Sequence, residues 1–176
     1  RNFIYGGNNM IEDGRKRLFV DLDGTAVKWR QNVTLEEITA PGFFLSGEPV
    51  ENVCQAVNNL AQHSGLKVCI LSAVLDDDHS VNEKKAWVRK YIPEIPEENM
   101  FFPRYGEPKG SVLGCVTKDD YLLDDNSEVL RKWDGTGVKI YTAVNGNHGT
   151  WRGYSVNANM TADILEKQLC AICWFC

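Results

Sequence analysis

The stretch Leu18-Phe-Val-Asp-Leu-Asp-Gly-Thr25 decides the fold that this sequence predicts. Its first three residues are apolar and indicate a short buried strand, and the Gly-Thr pair indicates the turn that leaves it. Asp21 and Asp23 therefore follow the carboxyl end of a strand, which is the edge where open α/β sheets bind ligands. Because side chains alternate along an extended chain, we expect the two carboxylates near one point, with Leu22 turned away.

The composition is that of an ordinary globular chain. Its 176 residues carry a net charge of −5, which argues against a nucleic-acid partner because such binding uses a basic face. No run of about 18 apolar residues is present, so we expect no transmembrane helix and no membrane partner. The first ten residues lack the apolar core of a signal peptide. We therefore expect one cytoplasmic domain whose six cysteines form no disulfide framework.

Strands and helices alternate along the rest of the chain. Short apolar runs predict four further strands, near residues 68–71, 100–102, 121–123 and 138–141. Helical spacing of apolar residues predicts helices near residues 50–64, 80–91, 127–133 and 161–172. This alternation predicts an α/β fold in which a Rossmann-like parallel sheet is flanked by helices on both faces.

The segment after the first strand is too polar and too interrupted to belong to the sheet. Thr34 and Glu37 have the spacing of a capping box for a short helix, and Pro41-Gly42 ends that helix. We interpret this segment as a small helical cap. The predicted division has three parts: an N-terminal extension (1–16), a core domain (17–27 and 48–176) and the cap (28–47).

Polar residues follow or end three of the predicted strands. Asp21 and Asp23 follow the first strand, Ser72 follows the second, and Asp124-Asp125 end the fourth. Because the carboxyl ends of parallel strands lie at one edge, we expect these groups in one crevice. A lone Ser or a lone Asp-Asp after a strand is typical of an ordinary turn, but the joint occurrence of these residues at three strand ends is hard to assign to chance.

This set of residues suits the hydrolysis of a phosphomonoester. One carboxylate attacks phosphorus, and a second carboxylic acid protonates the leaving alcohol and then activates water. Mg²⁺, which prefers oxygen ligands, would neutralise the crowded oxygens, while a hydroxyl and a lysine hold the phosphate. We prefer Lys109, just before the fourth strand, over Lys118, whose position is more typical of a surface residue.

In their order and context, these residues resemble the four motifs of the haloacid dehalogenase-like (HAD-like) phosphatases. Within that superfamily the chain resembles the 5'(3')-deoxyribonucleotidase family (5'-nucleotidase, deoxy, cytosolic type C) of bacterial and phage type. The family resemblance covers roughly residues 17–155 and rests on these stretches: Val20–Trp29, Gly42–Phe44, Ile70–Leu75, Glu83–Trp87, Tyr105–Lys109, Asp119–Asp125 and Asn145–Gly153.

The resemblance implies a role for each acidic residue of the crevice. Asp21 would be the nucleophile that forms an aspartyl-phosphate, and Asp23 would be the general acid and base. Mg²⁺ would be held by Asp21, by Asp23 through its backbone carbonyl, and by Asp124 and Asp125.

The resemblance also implies which residues hold the substrate. Ser72 and Lys109 would bind the phosphate, and Thr25 would support the phosphate-binding loop. Phe43 and Phe44 of the cap are candidates for packing against a base, but anchoring of the cap to the core is the favoured interpretation of this pair. Ala73 stands where better-known relatives have a second hydroxyl, so one phosphate contact is expected to be missing.

We therefore expect a Mg²⁺-dependent phosphomonoesterase that hydrolyses nucleoside monophosphates, preferably deoxyribonucleotides. Two alternatives stay open. One is a phosphatase of the same mechanism acting on another small phosphomonoester, such as a sugar phosphate. The other is a non-catalytic protein that binds a phosphometabolite, which is disfavoured because a binding protein has no use for a general acid.

Three cysteines at the C-terminus have the spacing of metal ligands: Cys170, Cys173 and Cys176. A closed zinc site uses four ligands, so we interpret this segment as a frayed or buried helix end instead. With Trp174 and Phe175, the same segment could contact a second copy of the chain, so a homodimer is left open.

Overall fold

The computed structural model describes residues 16–142 and 150–174, and these residues form one six-stranded sheet. The strands are β1 (Arg17–Val20), β2 (Lys67–Leu71), β3 (Met100–Phe101), β4 (Asp120–Asp124), β5 (Thr136–Tyr141) and β6 (Tyr154–Asn157). They lie in the order β3-β2-β1-β4-β5-β6, and every neighbouring pair is parallel. The predicted α/β, Rossmann-like fold is confirmed.

Helices cover both faces of this sheet. The short helix α1 (Leu35–Thr39) has no buried residue and does not cover the sheet. The covering helices are α2 (Glu51–His63), α3 (Ser80–Tyr91), α4 (Ser127–Arg131) and α5 (Ala162–Trp174), and two 3-10 turns span Glu97–Asn99 and Lys109–Val112. Side chains of α2, α3 and α5 pack with Leu18 and Val20 of β1 in the larger buried cluster. Phe19, which points to the other face, packs with Leu130 of α4 in the smaller cluster.

The register of the central strands brings the polar strand ends together. Val20 of β1 lies opposite Ile70 of β2 and Leu123 of β4. Asp21 and Asp124 therefore follow paired positions at one edge, and Ser72 lies one residue beyond the end of β2. At the opposite edge Arg17 forms an ion pair with Asp120, its register partner, and this pair fixes the alignment of β1 with β4.

Three local features refine the predicted elements. The edge strand β6 is not predicted from the sequence, because in its four residues only Val156 is buried. The segment after Pro108 forms a short 3-10 turn at Lys109–Val112. Helix α1 begins at the expected capping box, in which Thr34 and Glu37 exchange hydrogen bonds.

Parts of the predicted organisation lie outside the described residues. These are residues 1–15 of the N-terminal extension, residues 143–149 within the Asn145–Gly153 stretch, and Cys176 of the cysteine motif. The five described cysteines form no disulfide. Among the helices that the structure describes, none has the length and apolar character of a membrane span.

Candidate active site

A cavity of about 620 Å³ lies at the carboxyl edge of the sheet. Its floor is charged and contains Asp21, Asp23, Lys109, Asp124 and Asp125. Its walls are largely apolar, and their larger side chains are Trp29, Leu35, Ile38, Phe44, Val74, Leu75, Tyr105 and Val129. The cavity can therefore accept a ligand with an ionic end and an apolar body.

Three buried carboxylates meet at the floor of the cavity. Asp21, Asp124 and Asp125 each offer an oxygen, and these oxygens lie within 4.8 Å of one another. The Asp21 backbone N–H donates to the Leu123 carbonyl at 3.0 Å, which holds the start of the loop after β1 against β4.

Burial and mutual repulsion shift the titration of this acidic cluster. Desolvation, reinforced by the Asp21 carboxylate, raises the pKa of Asp124 to about 6 and that of Asp125 to about 8. Lys109 opposes the first shift and Lys139 opposes the second. Each raised pKa means that the ionised carboxylate is less well stabilised here than it would be in water.

The acidic cluster fits a metal ion. Lys109 Nζ lies 2.8 Å from Asp124 Oδ2, but that buried oxygen receives no aligned hydrogen bond. Carboxylate oxygens are the donors that hard divalent cations prefer, and a cation would relieve the repulsion among these three groups. The side chain of Asp23, the fourth predicted metal ligand, lies outside this cluster, and the contribution of its backbone carbonyl stays a prediction.

Lys109 lies at the floor of the cavity, where it pairs with Asp21 and Asp124. Its ammonium lies 2.5 Å from Asp21 Oδ1 and donates to the Leu71 carbonyl at 3.0 Å. Burial alone would lower the pKa of Lys109, but the carboxylates of Asp21 and Asp124 outweigh it and raise that pKa. Lys118 instead lies at the far end of β4, where it donates to the Asp134 and Gly135 carbonyls.

Asp23 and Ser72 meet through Lys84, a residue that the sequence analysis did not select. The buried Lys84 ammonium donates to Asp23 Oδ2, to Ser72 Oγ at 3.0 Å and to the Ala73 carbonyl at 2.6 Å. Desolvation raises the pKa of Asp23, Lys84 lowers it, and Asp21 raises it further, with a net rise. Lys84 shares one face of α3 with Trp87 and Val88, and a lysine on an apolar helix face is a signal that could have found it.

A second unselected lysine supports the acidic cluster from β5. Lys139 is buried, lies opposite Asp124 in the sheet register, and donates to the Asp125 carbonyl and, at 2.9 Å, to Ser127 Oγ. Thr25 also supports the backbone at Asp125, because its hydroxyl oxygen accepts a hydrogen bond from the Asp125 N–H at 3.2 Å. Both contacts position Asp125 through its backbone.

The two cap phenylalanines occupy different positions. Phe44 lines the main cavity but is only 7% exposed, and its ring centroid lies 4.5 Å from Lys84 Nζ. Phe43 packs edge-on against Trp29 and Phe44. It lines a smaller cavity of about 200 Å³, which also reaches Asp23. Of these two residues, only Phe44 contributes to the wall of the main cavity.

Helix α3 holds a loop of the predicted cap beside this site. The Glu83 carboxylate accepts hydrogen bonds from the backbone N–H groups of Gly42 at 2.6 Å, Phe44 at 3.1 Å and Leu45 at 3.4 Å. One turn further along, the Trp87 indole donates to the Gly47 carbonyl at 2.7 Å. The loop at residues 42–47 is therefore held at two points of one helix.

The chain is similar in sequence to known proteins of one family. The sequence profile of the family described as "5' nucleotidase, deoxy (Pyrimidine), cytosolic type C protein" matches residues 25–159. A Staphylococcus aureus protein named "Putative 5'(3')-deoxyribonucleotidase" is 29% identical over 110 residues, which are 62% of this chain and 54% of that protein. A Staphylococcus epidermidis protein of the same name is 25% identical over 118 residues, 66% of this chain and 60% of that protein. The matches thus cover little more than half of each relative's length.

Proposed function

Given that this chain belongs to the family of cytosolic type C deoxy 5' nucleotidases, we propose that it hydrolyses nucleoside monophosphates, with deoxyribonucleotides preferred. The observation that carries the proposal is the meeting of Asp21, Lys109, Asp124 and Asp125 beside Asp23 on one cavity floor. The names of the two staphylococcal relatives support the substrate class. The cytosolic description of the family supports a cytoplasmic location.

Mg²⁺ is the cofactor that we propose for the acidic cluster. Asp21, Asp124 and Asp125 would hold it with their carboxylates, and the Asp23 backbone carbonyl would be a further ligand. When bound, the ion would supply positive charge that neutralises the phosphate oxygens and the carboxylates around them.

Asp21 is the proposed nucleophile and Asp23 the proposed general acid and base. An Asp21 carboxylate oxygen attacks phosphorus, the ester bond to the substrate breaks, and the Asp23 carboxyl gives its proton to the departing alcohol oxygen. Asp23 then takes a proton from the water that attacks the aspartyl-phosphate, so that phosphate leaves and Asp21 is restored. The raised pKa of Asp23 suits a group that must carry a proton before the first step.

Lys109 and Ser72 would bind the phosphate, and Lys84 would position Ser72. Lys109 already contacts Asp21, so it lies where the phosphoryl oxygens would arrive. Ser72 would donate its hydroxyl hydrogen to the phosphate, and Lys84 keeps that hydroxyl oxygen beside Asp23. Donors fixed before the substrate binds are effective in stabilising developing charge.

Phosphate release from a panel of substrates tests the proposal. The panel contains 5'- and 3'-deoxynucleotides, ribonucleotides and sugar phosphates, each measured with Mg²⁺ and with EDTA. We expect Mg²⁺-dependent release that prefers deoxynucleotides and is lost in Asp21→Asn, a variant of nearly the same shape without a nucleophilic carboxylate. Preference for sugar phosphates would reject the substrate class, and full activity of Asp21→Asn would reject the covalent mechanism.

A further inference from the structure

Of the aromatic side chains that line the main cavity, the most exposed one lies outside the predicted cap. Within the described lining the aromatic side chains are Trp29, Phe44 and Tyr105. Trp29 is half-buried, and Phe44 is almost fully buried against Lys84. Tyr105 is 79% exposed. Its ring is therefore the one with a large uncovered area beside the cavity.

The backbone holds Tyr105 firmly although its ring is exposed. Its N–H donates to the Val74 carbonyl at 2.8 Å, and Arg104 forms a parallel bridge with Val74. Gly106 has φ +91°, a conformation that favours glycine, and Glu107 closes the turn with a 3.0 Å hydrogen bond to the Arg104 carbonyl. Because the backbone is held here, only the side-chain torsions of Tyr105 have to be ordered when a ligand covers the ring.

The cap places a second exposed apolar side chain at the same cavity. Leu35, the first residue of α1, is 73% exposed and lines the cavity together with Ile38. Lys109, four residues after Tyr105, lies on Asp21 at the floor. The cavity thus has a charged floor and an open aromatic and aliphatic rim.

We propose that Tyr105 is a specificity-determining residue on whose ring the base of a nucleotide stacks, with Leu35 covering the base from the cap. This inference rests on the proposed function. Stacking requires a flat aromatic ligand, and every base provides one, whereas a sugar phosphate provides none. Tyr105 therefore distinguishes nucleotides from sugar phosphates by contact with the part of the substrate furthest from the reacting atoms.

The test compares two substrates with the same deoxyribose and the same phosphate ester, deoxythymidine 5'-monophosphate and 2-deoxyribose 5-phosphate, of which the second carries a hydroxyl group in place of the base. In Tyr105→Ala we expect KM for the nucleotide to rise about tenfold with kcat nearly unchanged, because a base–aromatic stack contributes on that scale. KM for 2-deoxyribose 5-phosphate should not change. Tyr105→Phe should behave like the wild type, because it keeps the ring.

A matched control separates stacking from the loss of exposed apolar area. Leu45 is 48% exposed on the cap but does not line the main cavity, so Leu45→Ala should leave both KM values unchanged. Equal KM changes for both substrates in Tyr105→Ala, or none for either, would overturn the proposal. If a protein partner covered Tyr105 instead of a base, neither KM would change in Tyr105→Ala.

Binding measurements keep this inference separate from the proposed hydrolysis. Titration calorimetry with Mg²⁺ gives Kd for both compounds even if the wild type releases no phosphate. If the nucleotide binds more weakly to Tyr105→Ala and 2-deoxyribose 5-phosphate does not, the stacking role stands while the hydrolytic function fails. If Tyr105→Ala binds both as the wild type does, the stacking role fails whatever the turnover.

Discussion

At the scale of single residues, burying three carboxylates in one cluster is expected to lower the stability of the metal-free protein. Asp124 and Asp125 have raised pKa values because they are buried beside Asp21. A carboxyl whose pKa rises on folding stabilises the protein fully below its unfolded pKa and loses that contribution as pH rises through the folded value. The metal-free protein should therefore lose stability as pH increases toward about 8, the pKa of Asp125.

We expect Asp125→Asn to be more stable than the wild type in EDTA at pH 8. The variant removes one ionised carboxylate from a repulsive cluster, and even one pKa unit corresponds to about 1.4 kcal/mol. Mg²⁺ should reverse the order, because the wild type gains binding energy that the variant has lost. Urea unfolding at pH 5.5 and pH 8, with and without Mg²⁺, measures both effects.

Asp119→Asn is the control, since Asp119 is an exposed carboxylate at the far end of β4. It should change stability little under every condition. Wild-type stability that stays constant between pH 5.5 and pH 8 in EDTA would contradict the expected repulsion.

The sequence predicted acidic residues better than it predicted lysines. The sequence allowed Asp21, Asp124 and Asp125 to be predicted as neighbours, because each follows or ends an apolar run. The carboxyl ends of parallel strands lie at one edge of the sheet, so these residues meet there. Lys84 and Lys139 could not be selected in the same way, because a lysine is usually exposed and only tertiary packing buries these two. The roles of all the predicted site residues stay predictions.

At the scale of elements, α3 contacts both the loop at residues 42–47 and Asp23. Consecutive residues, Glu83 and Lys84, hold the cap loop and Asp23 respectively. Phe44 lies between them, with its N–H on Glu83 and its ring beside Lys84. A shift of this helix would therefore move the cavity wall and the proposed general acid together.

We expect Glu83→Gln to loosen the loop at residues 42–47. The amide keeps one acceptor oxygen but loses the charge that strengthens three backbone hydrogen bonds, a change of about 1 kcal/mol. Chymotrypsin cleavage after Phe43, Phe44 or Leu45 should then accelerate about fivefold, because cleavage follows the population of the open loop. Mass spectrometry of the fragments locates the cut.

Glu36→Gln serves as the control, because Glu36 is an exposed residue of α1 in the same cap. Its cleavage should match that of the wild type. Unchanged cleavage in Glu83→Gln would show that Trp87 alone anchors the loop.

The predicted elements succeed where burial is continuous. β1, β2 and β4 each contain an unbroken apolar run of three or four residues, because a central parallel strand is covered on both faces. β6 lies at the edge and buries little, so its four residues carry no recognisable pattern. The cap boundaries at 28–47 stay a proposal, although α1 and its capping box lie within them.

At the scale of the whole molecule, buried clusters of different size cover the two faces of the sheet. Adjacent residues of β4 show this, because Leu123 belongs to the larger cluster and Leu122 to the smaller one. Both side chains are fully buried. The smaller cluster is bordered by partly exposed residues such as Leu113 and Trp151, which can relax toward a void.

We expect Leu123→Ala to destabilise the protein more than Leu122→Ala. Buried Leu→Ala substitutions cost about 2–5 kcal/mol, and the cost rises where the surroundings cannot close the cavity. Urea unfolding of the two variants compares identical chemical changes on opposite faces. An equal or reversed order would mean that the smaller cluster is packed as rigidly as the larger one.

The ion pair between Arg17 and Asp120 has a consequence for the time course of folding. It joins residues 103 positions apart, and Lys109 and Asp21 are 88 positions apart. Contacts so distant along the chain form slowly, because a long loop must close before they are made. The site therefore does not exist while β1 and β4 are apart, however much local helix has formed. The rate at which activity returns after dilution from urea would therefore report how fast β1 pairs with β4.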